Sequence, residues 1–170
     1  MQILKLFRIA GAALALGTLP LAVLAADEER TPPEPLTTEF VYEAIVEIGA
    51  PVEVGPTATG VRRYIPITGG TFSGKNLRGV VLPGGADWQT ERSDGVTEVD
   101  ALYSMRCDDG TVIIVRNVGV IADGGRYLRT SPSFQVPEGP HAWLAKSQFL
   151  GSIAGGPRPG TVAIRVFRVQ

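Results

Sequence analysis

Histidine and cysteine are nearly absent from this chain: His141 and Cys107 are the only ones among 170 residues. A single histidine excludes a multi-histidine metal centre. It argues against zinc, copper and non-haem iron chemistry, which draws on several imidazoles or thiolates. No metal and no other cofactor are therefore expected. A Ser-His-Asp arrangement would have to use His141, and no G-x-S-x-G elbow accompanies it. A single cysteine excludes an internal disulfide, so a packed core must hold the fold. Basic tracts are missing as well, with 16 Lys and Arg against 17 Asp and Glu. Nucleic acid is not an expected partner, because phosphate neutralisation supplies most of such affinity. Long helices have little room, since 21 glycines and 13 prolines interrupt the chain. Stretches of more than ten residues without either are few, mainly 36–48 and 96–109.

The first 25 residues differ from the rest. Lys5 and Arg8 precede an apolar run that ends in Val23-x-Ala25, followed by the acidic ADEER. Basic start, apolar middle and small-residue end are the three regions of a secretory signal peptide. Residues 1–25 are expected to be removed on export, and the mature protein to be periplasmic or secreted. Its formal charge becomes 14 basic minus 17 acidic, or −3. Beyond the leader no apolar run approaches the ~18 residues of a membrane span. Residues 26–38, with three prolines and a cluster of acids, read as an extended tether. The globular domain is then 39–170, long enough for a core of its own.

That domain reads as short strands. EFVYEAIVEI alternates apolar and polar residues, and GVRRYIPI, LRGVVLP, VTEVDALYSMRC, TVIIVRNVGVI and TVAIRVFRV behave alike. With RYLRT, SFQV and HAWLAKSQF there are eight or nine strands. Strands without intervening helices point to an all-β antiparallel barrel or sandwich with little helix; closure, which removes sheet edges, favours the barrel. Within this pattern GGTFSGKN (69–76) mimics a phosphate-binding loop, except that Asn76 stands where Ser or Thr would hold Mg²⁺. A helix must follow such a loop, yet NLRGVVLPGG follows here. The expected structure is a hairpin, with Gly74 and Asn76 at its turn.

The run GVRRYIPITGGTFSGKNLRGVVLPGGADWQ, followed by DALYSMRCDDGTVIIVRNVGV, RYLRTSPSFQV and HAWLAKSQFLG, resembles domain-of-unknown-function family 3237, also called uncharacterised protein family 0311. The resemblance covers nearly all of the mature domain. It implies an antiparallel β-barrel similar to the allene oxide cyclase barrel, and brings no reaction with it. Gln135 stands where this family commonly has Glu, Ala145 where Asn is common, and Cys107 where Thr is frequent. Any family chemistry that uses that Glu as a base is closed to Gln135.

Asp87 is the candidate catalytic residue. Glycines precede it, Trp88 adjoins it, and a carboxylate beside an apolar wall can acquire the raised pKa of a general acid or base. A turn-capping Asp and a core Trp are the alternative. Asp108-Asp109-Gly110 reads as a hairpin turn. If it forms a three-residue loop, Leu102 faces Arg116 and Asp100 faces Val118. Asp100 and Arg116 are then diagonal neighbours on one face, Tyr103 and Asn117 on the other. Residues 100 and 103 differ in parity, so a regular strand cannot aim both into one cavity. Arg62, Tyr127, Arg129 and Trp143 are candidate rim donors and aromatic walls. The expected partner is a small organic molecule held in the barrel. A cofactor-independent isomerase, cyclase or lyase, a non-catalytic binder and a structural protein all remain open.

Overall fold

Alternating burial along the strands carries the sequence pattern into space. The computed structural model describes residues 34–170. The expected leader, 1–25, and most of the expected tether, 26–38, lie outside them. Ten strands follow in order: β1 (Thr38–Ile48), β2 (Val52–Thr57), β3 (Gly60–Gly74), β4 (Arg78–Val81), β5 (Gly85–Glu91), β6 (Thr97–Cys107), β7 (Val112–Ala122), β8 (Tyr127–Gln135), β9 (Phe149–Gly155) and β10 (Thr161–Val169). Every pairing is antiparallel. The order β1-β10-β9-β8-β7-β6-β4-β3 returns to β1, with β5 continuing the β4 position between β3 and β6. The result is a closed eight-strand barrel, as the alternation and the resemblance both imply. Among the described residues no helix is long and apolar enough to cross a membrane.

The glycine-rich run serves this closure. Strand β3 pairs with β5 over Val61–Ile67, then with β4 over Thr71–Ser73, while its far half lies against β1 with Val46 opposite Gly70 and Tyr42 opposite Gly74. Gly70 has φ +135°, and a side chain there would overlap the carbonyl oxygen of Ile45. The expected hairpin between β3 and β4 is present.

Four local readings change. RYLRT and SFQV are not two strands but parts of one, β8, continuous through Ser131 and Pro132. HAWLAKSQF is not one strand: Ala142–Lys146 forms a 3-10 turn and β9 starts at Phe149. AWLAK carries no β-branched residue, and the turn sinks Leu144 into the core at 1% exposure. Strand β2, with Gly55 and Pro56 inside it, and β5, with one β-branched residue, escape a search for β-branched runs.

Inward residues divide the barrel into two halves. Tyr42, Phe72, Met105, Ile113, Phe134, Leu144 and Phe149 pack one half solid, with edge-to-face contacts of Tyr42 on Phe72 and Phe134 on Phe149. The other half is lined mainly by shorter aliphatic side chains, among them Val46, Ile65, Val99, Ile153 and Val162, and leaves a cavity of about 150 Å³.

Candidate functional site

Strand β5 delivers Asp87 to this cavity. In register, Asp87 lies between Ile65 of β3 and Ala101 of β6, and Asn117 of β7 follows Ala101. Asp87, Ala101 and Asn117 thus form one row across three strands, and all three line the cavity. The backbone N–H of Asp100 donates to Asp87 Oδ1 at 3.1 Å, and Gln89 Nε2 donates to Oδ2 at 2.6 Å. Arg63 Nε donates to Gln89 Oε1 at 2.9 Å, which fixes the Gln89 amide with its NH₂ end toward Asp87. Burial among aliphatic side chains pushes the Asp87 carboxyl above its ordinary value. The Gln89 and Asp100 hydrogen bonds and the Arg63 charge oppose that rise without cancelling it, and the Asp100 charge adds to it.

The raised value has a sign that can be measured. From pH ~4, where a free Asp releases its proton, up to the folded-state value, the folded chain holds a proton that the unfolded chain has lost. Asp87 therefore lowers stability progressively as pH rises through that interval, and the deficit persists above it. The exposed carboxyls of Asp94, Asp100 and Asp109 are held below their ordinary values, by the Val96 N–H and Arg92, by Arg116, and by Thr111 respectively. They act in the opposite direction and cancel between variant and parent. Asp87→Asn is expected to gain stability relative to the parent as pH is raised from 4 to 8, read by urea unfolding at each pH. A pH-independent difference would deny the raised carboxyl.

Trp88 does not share this cavity. Adjacent strand residues face opposite sides; Trp88 is 41% exposed on the outer wall, against Tyr64 at 4.7 Å between ring centroids and under the Arg62 guanidinium at 5.9 Å. The apolar wall beside Asp87 is aliphatic instead. Arg62 is also outside, donating to Thr90 Oγ1 at 3.0 Å.

The Asp-Asp-Gly turn is the three-residue loop: Cys107 N–H donates to Thr111 O at 2.9 Å, Leu102 faces Arg116 and Asp100 faces Val118. Arg116 grips Asp100 through Nε and Nη2 at 2.9 and 2.8 Å, on the outer wall. Gln135 lines the same outer hollow as Asp100, Arg116 and Trp88. Both partners of the ion pair are well exposed, so its contribution is small. Arg116→Ala is expected to change stability by less than ~1 kcal/mol and to leave binding inside the barrel unaltered, as denaturant melts and ligand titration would show. Tyr127 and Arg129 stack on each other at 5.4 Å, away from the cavity lining. Trp143 sits in the 3-10 turn, against Phe149 and under Arg168, in a separate hollow with Phe40 and Lys75.

Of the candidates, the structure brings Asp87, Tyr103 and Asn117 together at the cavity. Arg63 and Gln89 were missed. Their signal was parity: Gln89 lies two residues after Asp87 on the same face, and Arg63 is its cross-strand partner. A search for several histidines also passed over Cys107, Asp109 and His141, whose potential ligand atoms lie within 4.8 Å of one another. His141 Nε2 meets Asp109 Oδ2 at 3.0 Å. Burial, then Asp109 and Asp108, raise the Cys107 thiol pKa, while Lys75 and Arg78 line the same hollow and oppose a cation.

The arrangement has relatives. A UPF0311 protein of Rhodopseudomonas palustris is 36% identical over 135 residues, covering 70% of this chain and 88% of its own length. The crystal structure of a conserved protein of unknown function from the same organism covers 81% of this chain and 99% of its own, with TM-score 0.75 at 35% identity. A β-barrel like protein of Acinetobacter baumannii covers 81% and 98%, with TM-score 0.72 at 30% identity. More distantly, a hydroalkoxylation enzyme of Penicillium herquei is 29% identical over 101 residues, covering 59% of this chain and 67% of that protein. The family described as protein of unknown function (DUF3237) matches residues 36–169, and with the closed barrel and these relatives the chain belongs to it.

Proposed function

We propose that this is an exported barrel that binds a small organic molecule in its cavity and acts on it without a cofactor, with Asp87 as the acid–base group. The observation that carries the reading is a carboxyl buried in an apolar cavity and positioned by Gln89 and Arg63, where burial raises its pKa above the ordinary value. Such a group can give a proton to one atom of a ligand and recover one from another. The distant Penicillium relative is a hydroalkoxylation enzyme, and hydroalkoxylation is the addition of an alcohol O–H across a carbon–carbon double bond. Within one molecule that addition is a cyclisation. The acid protonates one alkene carbon, the hydroxyl oxygen bonds to the other, and the hydroxyl proton returns to the carboxylate. No external oxidant or reductant is consumed. A non-catalytic carrier is the second reading, favoured by the largely aliphatic wall.

The test is to recover the exported protein from the periplasm, extract it with organic solvent and identify the released compound by mass spectrometry. A neutral small organic molecule that the protein converts supports the enzyme; one that is bound and never converted supports the carrier. A preparation that neither carries nor binds such a compound overturns both. Export is checked separately: N-terminal sequencing of the periplasmic protein is expected to begin at Ala26 or Asp27, and intact Met1 would refute the leader.

A further inference from the structure

A buried amide oxygen among the residues that line the cavity has no protein partner. Asn117 is 2% exposed, and its Oδ1 is fully enclosed without a hydrogen bond. A buried acceptor left unmade carries the full desolvation penalty, and folded proteins keep few of them. Around it the cavity is lined by Val46, Ile67, Val99, Ile153, Val162 and Ile164, which offer no donor. Ala101, one strand away in the same row, leaves open the space between Asn117 and Asp87. Tyr103 also lines the cavity. Its hydroxyl and that of Tyr42 influence each other's ionisation, yet neither meets a partner at hydrogen-bonding geometry.

We propose that Asn117 recognises a hydroxyl group, and that the ligand class of this cavity is a neutral alcohol or phenol of about one six-membered ring. The inference rests on the cavity being the functional site. Its steps are chemical. Oδ1 only accepts, so the ligand must supply a donor. A carboxylate would share a largely apolar cavity with the Asp87 carboxyl and meet no cation there, and an ammonium would need Asp87 as its anion, the form that burial disfavours; both bear the cost of a poorly compensated buried charge. A ketone or ether has no donor and leaves Oδ1 orphaned. A hydroxyl supplies one donor and asks for little else. Size follows from volume: a cavity near 150 Å³ accommodates a benzene-sized body, and this one is about 150 Å³.

Phenol, toluene and benzoate are probes of one size that differ only at the recognised position. Titration followed on the methyl NMR signals of Ile65, Ile153 and Val162 should show phenol binding at least about tenfold more tightly than toluene, because toluene leaves the amide unpaired, and no benzoate binding at neutral pH. Asn117→Leu should invert or abolish the preference while retaining toluene, and should not lower stability, since it removes the orphan group. Asn117→Ala removes the amide without adding bulk and must give the same loss of preference if the leucine variant folds poorly. Equal affinity for phenol and toluene, binding of neither, or a phenol preference surviving both variants would overturn the inference. The Asp87 reading fails separately. Asp87→Asn should keep the phenol preference, and its effect on conversion of the native compound decides that reading alone.

Discussion

Asp87→Asn is expected to leave the barrel folded, with stability within ~1 kcal/mol of the parent, while reducing turnover of the native compound by roughly 10²–10⁴-fold. The near-neutral stability follows from two opposed changes. Asparagine keeps an oxygen for the Asp100 N–H, but its NH₂ group meets the NH₂ end of Gln89, which Arg63 prevents from turning. Against that loss, the variant no longer has a desolvated carboxyl to ionise. The chemical loss is unopposed, because an amide neither gives nor accepts a proton near neutral pH. Melting temperature read beside conversion of the extracted compound makes the comparison. A large fall in melting temperature with conversion preserved would return Asp87 to the scaffold.

Gly70→Ala should be far more damaging, costing more than ~4 kcal/mol and preventing soluble expression at the extreme. Two penalties coincide at this position. The left-handed φ of +135° disfavours any side chain. The new carbon would also collide with backbone of β1, at Ile45 and Val46, which cannot retreat without opening the barrel seam. Gly155→Ala is the control: it has open space around it and no left-handed φ, and should change stability by less than ~0.5 kcal/mol. Guanidinium unfolding of both variants separates the cases. A Gly70→Ala protein as stable as Gly155→Ala would mean that the seam is not a close backbone contact.

Period-two alternation and one Asp-Gly turn made most of the barrel wall legible. If the turn is a three-residue loop the β6–β7 register follows, and with it Asp100 beside Arg116 on one face and Tyr103 beside Asn117 on the other; which of the two faces points inward came only with the structure. The same parity separates Asp87 from Trp88, although their adjacency in sequence suggested a shared site. Parity says which side a residue faces. It does not say how much of the inside is filled, because that depends on side-chain volumes gathered from eight strands. The aromatic plug and the cavity were therefore invisible, although every residue that builds them was in view. Strand β5 escaped for a related reason: its cavity-lining residues, Asp87 and Gln89, are polar, so its composition departs from that of a core strand.

Strand β2 is the exception to closure. Among the described residues it pairs with β3 on one side only, so its other margin offers backbone hydrogen bonds to any neighbouring chain. Val52 and Val54 on it are 40% and 58% exposed, a composition that invites strand-to-strand aggregation. Three features work against that outcome. Glu53 brings a charge, Pro56 withholds a donor, and the register slip between Glu53 and Gly55 bends the margin away from flatness. The barrel thus carries a built-in safeguard against polymerising through its own loose flap.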